Sequence, residues 1–425
     1  MMNRRQLLQT LLGAGVTAAT GGRLFAAPED YQGRLLVTLQ CQGAWDVADF
    51  CDPKVNQAGE RPITNWSNSG EIQTAGNLRY APVADNANFF QRYYRDTLII
   101  NGVDSQTNSH STGELHSWSG RNAAGYPSLT ALFAAQHAPE LPLTYLNYGG
   151  YAETARLVRY SRVDDIAALR SVLSPNALPW DTQAVLRDPS RLQQVLNAQS
   201  ARLQRQQAAA GNLPRRELAM QAYAAARANR AGLADFAAAL PNDSELQQRV
   251  RANGEVESNL RQQIQVAVLG FATGVSCAAD LFLHGFDTHQ NHDALHEPLL
   301  AFTTQSLDYL WQYAEQLGVA DRLTVVVGSD FDRTPHYNDS NGKDHWPIGS
   351  VMVMQRNAPW GNRVAGATDE GQNAYLINPQ TLQRDDQHGA RIYPRHVHQA
   401  LRDLLGINTG SFAFNNSEQF AFFSA

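Results

Sequence analysis

Asp280-Leu-Phe-Leu-His-Gly-Phe-Asp-Thr-His-Gln-Asn-His292 decides the fold. Its first five residues form a short apolar run without alternation, the pattern of a strand buried on both faces. The run breaks at Gly285 and is followed at once by Asp287, His289 and His292. A buried strand with chemistry-bearing residues just past its end predicts a parallel sheet whose ligands meet the carboxyl edge.

Four more runs repeat the pattern: Arg34–Cys41, Thr97–Val103, Arg322–Gly328 and Ile348–Met354. Helical patterns lie between and after them, over 127–137, 292–317 and 394–405. Strands alternating with helices predict an α/β fold with helices on both faces of a mostly parallel sheet. Residues 188–270 break the rhythm. Asp188-Pro189 opens a helix as N-cap and first-turn residue, with Leu192, Val195, Leu196 and Leu203 on one face. A second, alanine-rich helix is expected up to Leu240, and a third from Asp243 or Ser244 towards Leu269. This stretch reads as a helical insertion whose Gln- and Arg-rich faces meet solvent.

The N-terminus carries a different message. Arg4 and Arg5 precede an apolar stretch, Leu7–Ala19, broken by Gly13 and Gly15, and Phe25-Ala26-Ala27 stands before Pro28. Paired arginines, a short apolar segment and small residues at a cleavage point describe a twin-arginine (Tat) secretion signal over residues 1–27. The mature α/β domain is then 28–425, periplasmic or extracellular. Losing Arg4, Arg5 and Arg23 moves the formal charge from −6 to −9, which argues against nucleic acid or an anionic membrane as partner. No later stretch is long and apolar enough for a permanent membrane span. Cys41, Cys51 and Cys277 are too few for a disulfide framework; an oxidising compartment permits a Cys41–Cys51 bridge, but buried thiols are expected.

The polar residues past the strand ends form one set: Asp46, His110 with Ser111 and Thr112, Asp287 with His289 and His292, Asp330, and Asp344 with His345. Any one Asp in such a loop is ordinarily a turn former or cap, and His284 and His296 read as structural or surface histidines. Together, carboxylates and imidazoles without Cys suit one or two divalent ions: zinc, manganese, magnesium or calcium. Such ions polarise phosphoryl or sulfuryl oxygens.

Asp46, Phe286–His289, Ser329–Pro335, Gly342–His345 and the closing Val397–Ile407 together resemble a family of exported proteins of unknown function. That family carries Tat signals and an alkaline-phosphatase- or sulfatase-like fold. The resemblance spans nearly the whole mature chain and is weakest over 150–270. It implies Asp46 as a first-strand metal ligand, Asp287 with His289 (or His292) and His345 around one metal, and Asp330 on a second. Phe331 stands where a ligating His or Asn is usual. The sulfatase nucleophile position, counted back from Gly120, is His110 rather than Cys, so no formylglycine can form. Ser111 or Thr112 is left as a candidate alkoxide, His110 as a ligand or base, and Arg333 as a partner for an anionic substrate. Two functions follow: a metal-dependent hydrolase of small-molecule or glycan phosphate or sulfate esters, or an exported binding or assembly protein that keeps the fold and a structural metal.

Overall fold

The structure, a computed structural model, describes residues 31–424 except 164, 175, 179, 180, 186, 210, 214, 218, 221, 222, 224–229, 409, 416 and 417. The secretion signal expected over residues 1–27 lies outside the described residues.

All five apolar runs are strands: β1 (Leu35–Gln42), β2 (Thr97–Asp104), β5 (Ala278–His284), β6 (Leu323–Ser329) and β7 (Ile348–Gln355). Three short strands join them: β3 (Tyr145–Asn147), β4 (Tyr160–Arg162) and β8 (Arg363–Ala365). They make one eight-stranded sheet in the order β8-β2-β7-β6-β1-β5-β3-β4. Every neighbouring pair is parallel except the two that β7 makes with β6 and β2. Residues Leu35 to Cys41 of β1, the central strand, are all buried, which is why its sequence lacks alternation.

The described helices are α1 (Asn86–Tyr93), α2 (His110–Ser119), α3 (Leu129–His137), α4 (Ile166–Leu173), α5 (Pro189–Ala208), α6 (Arg230–Ala239), α7 (Leu260–Ala272), α8 (His292–Gln316) and α9 (Pro394–Leu405). Contacts sort those around the sheet into two layers, α1, α7 and α8 on one face and α2, α3 and α9 on the other. A continuous apolar core fills both interfaces, with Trp45, Trp311 and Trp360 fully buried. Helix α5 starts as its sequence dictates, the Asp188 carboxylate accepting the Ser190 and Arg191 N–H groups. The third helix of the insertion starts later than expected. Residues 243–258 form turns and a short hairpin, Val250–Arg251 with Glu257–Ser258, and α7 beyond them packs against β5. Cys41, Cys51 and Cys277 are buried free thiols. Among the described residues no helix is long and apolar enough to cross a membrane.

Two glycines bring the strand-end loops together. Gly43 has φ +110°, and a Cβ there would lie 2.5 Å from the Asp287 nitrogen. A Cβ on Gly113, inside α2, would lie 2.6 Å from the Asp330 carbonyl oxygen. Gly43→Ala therefore meets both a disfavoured backbone angle and a backbone clash. It should cost about 1–3 kcal/mol, read as a clear drop in Tm by scanning calorimetry.

Candidate metal centre

All the loops of interest open on one edge of the sheet. β1, β5 and β6 end there, β2 leads into α2 there, and β7, running the other way, begins there. Asp287 and His289 follow β5, Asp330 follows β6, His345 precedes β7, and His110 is the first residue of α2.

His110, Asp287, His289 and His345 converge. His345 Nε2 is 3.1 Å from His110 Nε2 and 3.0 Å from His289 Nε2. Asp287 Oδ1 is 3.1 Å from His289 Nε2, 3.3 Å from His345 Nε2 and 3.5 Å from His110 Nε2. Donor atoms of His110, Asp287 and His345 all lie within 4.8 Å of one another.

The other ring nitrogens fix the tautomers. His110 Nδ1 donates to Asp330 Oδ2, His289 Nδ1 to Asp344 Oδ1 at 2.9 Å, and His345 Nδ1 to the Asn108 carbonyl at 2.8 Å. A neutral imidazole carries one proton, so three bare Nε2 lone pairs and a carboxylate oxygen face one another. That crowd is repulsive until a cation enters it. A tetrahedral ion with bonds of about 2.0–2.1 Å sets its ligands roughly 3.3 Å apart, close to the spacings among His110, Asp287 and His345 and to those of His289 from Asp287 and His345. An acceptor behind each Nδ1 is the usual support for an imidazole ligand.

The hydrogen bond to Asp330 raises the His110 pKa against the opposing effect of burial, so a proton competes with a cation for its Nε2. Burial works to raise the Asp287 pKa, but the hydrogen bond and charge of Arg333 outweigh it and hold the carboxylate ionised. The Asp344 pKa is lowered, first by its hydrogen bond with His289.

The remaining expected residues lie elsewhere. Asp330 turns no oxygen to the cluster: Oδ2 takes the His110 proton, and Oδ1 accepts the Gly43 and Ala44 N–H groups and the Ser329 hydroxyl. Phe331 is buried and stacks against His110 at 4.7 Å and near His345 at 4.8 Å, a wall for both rings. Ser111 is exposed, its hydroxyl 3.3 Å from that of Ser109, and Thr112 sits half-buried in the same first turn. Arg333 does not face a substrate. It is fully buried, giving Nε to the Ala44 carbonyl, Nη1 to the Lys343 carbonyl, and Nη2 to the Gly43 carbonyl and Asp287.

Asp46 and His292 belong to a second, fully buried group. Asp46 Oδ2 contacts Lys343 Nζ and lies 3.1 Å from His292 Nε2, which is 3.4 Å from Asp49 Oδ2. His296 stacks on His292 at 4.6 Å. Asp49, His292 and His296 are close enough to share an ion, yet the tautomers oppose it. His296 Nε2 accepts the Asp46 N–H, so its proton is on Nδ1 and no lone pair remains for a metal. Charge is balanced by protein cations. Burial lowers the Lys343 pKa, but Asp46 and Asp49 outweigh that and raise it. Burial is likewise overcome at His292 by its two carboxylates. Lys343 was not foreseen from sequence, since an isolated lysine ordinarily reads as surface; its place in Gly342-Lys-Asp-His345 was the available signal.

Among known proteins, the family model described as "Protein of unknown function (DUF1501)" matches residues 159–410. None of the curated proteins matches in sequence. Among solved structures, a protein in the alkaline phosphatase superfamily from Vibrio parahaemolyticus is 8% identical, with a TM-score of 0.40 over 99% of this chain and 80% of that one. The lipoteichoic acid synthase LtaP from Listeria monocytogenes is 9% identical, with a TM-score of 0.38 over 93% and 75%. A TAB5 alkaline phosphatase mutant with bound Mg is 9% identical, with a TM-score of 0.37 over 89% and 100%. These overlaps are too loose to speak for chemistry.

Two outcomes follow from the geometry. Protein purified without chelator should hold about one equivalent of zinc by elemental mass spectrometry, lost in Asp287→Ala and His345→Ala. Affinity should fall as pH drops from about 8 to about 6, because protons compete for the same Nε2 atoms. Lys343→Met should instead leave metal content intact and destabilise the fold by about 3–5 kcal/mol, since it strands the buried Asp46 charge; thermal unfolding reads this.

Proposed function

The chain belongs to the DUF1501 family of proteins of unknown function, and from that premise we propose that it is a metal-dependent hydrolase of phosphate or sulfate esters working outside the cytoplasm. The observation that carries this reading is the set of three bare Nε2 lone pairs around Asp287 Oδ1, each ring turned by an acceptor on its far side. Three nitrogens and one oxygen suit zinc better than magnesium or calcium, which prefer oxygen. Asp287 is about half-exposed, so a ligand has access. A bound dication supplies Lewis-acid polarisation of an ester oxygen and the activation of water or a hydroxyl.

The chain's own residues then have distinct tasks. His110, His289, His345 and Asp287 hold the ion. Asp330, Asp344 and the Asn108 carbonyl keep the three imidazoles in their ligating tautomer. The first turn of α2 aims its unpaired N–H groups and positive end at this edge, which favours an anionic ester. Ser111 and Thr112, in that same turn, are the candidate hydroxyl acceptors. The Tat-like residues 1–27 support export to the periplasm or beyond.

Asp46 supports the second reading. Its pairing with Lys343 leaves it outside the cluster, and Phe331 adds no ligand. A one-metal centre of this kind also serves an exported binding or assembly protein.

Turnover of p-nitrophenyl phosphate, its diester and p-nitrophenyl sulfate decides between the two. The hydrolase reading expects activity on at least one, lost in Asp287→Ala and reduced about 10–100-fold in Asp330→Asn. Full metal loading with no turnover on any would establish the binding reading. Replacing Arg4 and Arg5 together by Lys should hold the protein in the cytoplasm on cell fractionation.

A further inference from the structure

Beyond the metal centre, a cavity of about 340 Å³ opens on the same sheet edge. Tyr148 follows β3 directly and Val163 follows β4, so both line it from strand ends. Two helices start at its wall: α4, whose Asp165 cap accepts the Ala167 and Ala168 N–H groups, and α7 at Asn259. β4 lies two strands from β5, placing the cavity roughly 10 Å sideways from the strand that carries Asp287.

Its lining has a definite chemical character. Arg170 and Arg249 are offset by Asp165 and Asp243, so no ion of either sign is favoured. Asn259 and Gln262 add amides at the rim. The Tyr148 side chain closes the inner wall, its hydroxyl buried and, among the described residues, without a hydrogen-bond partner. Val163, Ile166 and Leu246 add an apolar patch. Balanced charges, planar amides and an apolar patch suit a molecule dense in hydroxyls with C–H faces between them. The volume gives room for roughly one or two pyranose rings.

We propose that this cavity binds a carbohydrate, as the subsite for the sugar of a glycan ester whose ester group reaches the Asp287 cluster. The assignment of the ester group rests on the hydrolase reading; the carbohydrate site itself does not.

The test is an array of neutral, phosphorylated and sulfated oligosaccharides probed with the full mature chain, followed by calorimetry on the tightest hit. Ala167→Trp, at an exposed helical position on the cavity wall, should weaken binding tenfold or more, and Arg249→Ala, at an exposed position on the same wall, should weaken it measurably. Both should keep wild-type metal content and melting behaviour. Asp287→Ala should lose metal and turnover yet hold the saccharide within about twofold, which separates failure of the centre from failure of the cavity. No saccharide bound by the wild-type chain, or equal binding by wild type, Ala167→Trp and Arg249→Ala, overturns the proposal.

Discussion

Arg333 is where the strand ends are tied together. A guanidinium with no exposure donates to the carbonyls of Gly43, Ala44 and Lys343 and to the Asp287 carboxylate. Those four partners come from the loop after β1, the loop before β7 and the loop after β5. The fork geometry of arginine suits such a node, because its donors lie in one plane at fixed angles. With that plane set, Asp287 is held ionised and turned towards the imidazoles, and the loop bearing Lys343, Asp344 and His345 is pinned beside it.

Two polar clusters a few residues apart show how burial divides labour. The Asp287 group is part-exposed, its histidines share one tautomer, and its carboxylate is met by the single guanidinium of Arg333. The Asp46 group is sealed, and its negative charge is met by Lys343 and by His292. Desolvation makes an unpaired charge intolerable there, so the interior cluster neutralises itself with protein cations. The rim cluster has one such cation, Arg333, and its imidazoles stay part-exposed.

Much of this was legible in the sequence. The five long strands announced themselves because burial on both faces demands unbroken apolar runs. Helices α3, α8 and α9 followed from their periodicity. β3, β4 and β8 did not show, being three residues each and placed towards the sheet edges, where little apolar sequence is needed. Asp287, His289 and His345 could be picked out because Asp and His crowded past a strand end are seldom idle. Partnership was not readable. Nothing in residue type tells Asp46 from Asp287, or says that Arg333 points inward; only the fold decides which carboxylate meets an ammonium first.

The reversed direction of β7 has a consequence for how the molecule is built. Because β7 begins at the edge where the other strands end, the histidine just before it joins ligands from residues 110, 287 and 289. The cluster thus spans more than half the chain in sequence, and it cannot assemble on any early fragment. Long loop closures of this kind form late and slowly. An ion held among these side chains would accordingly mark completed folding.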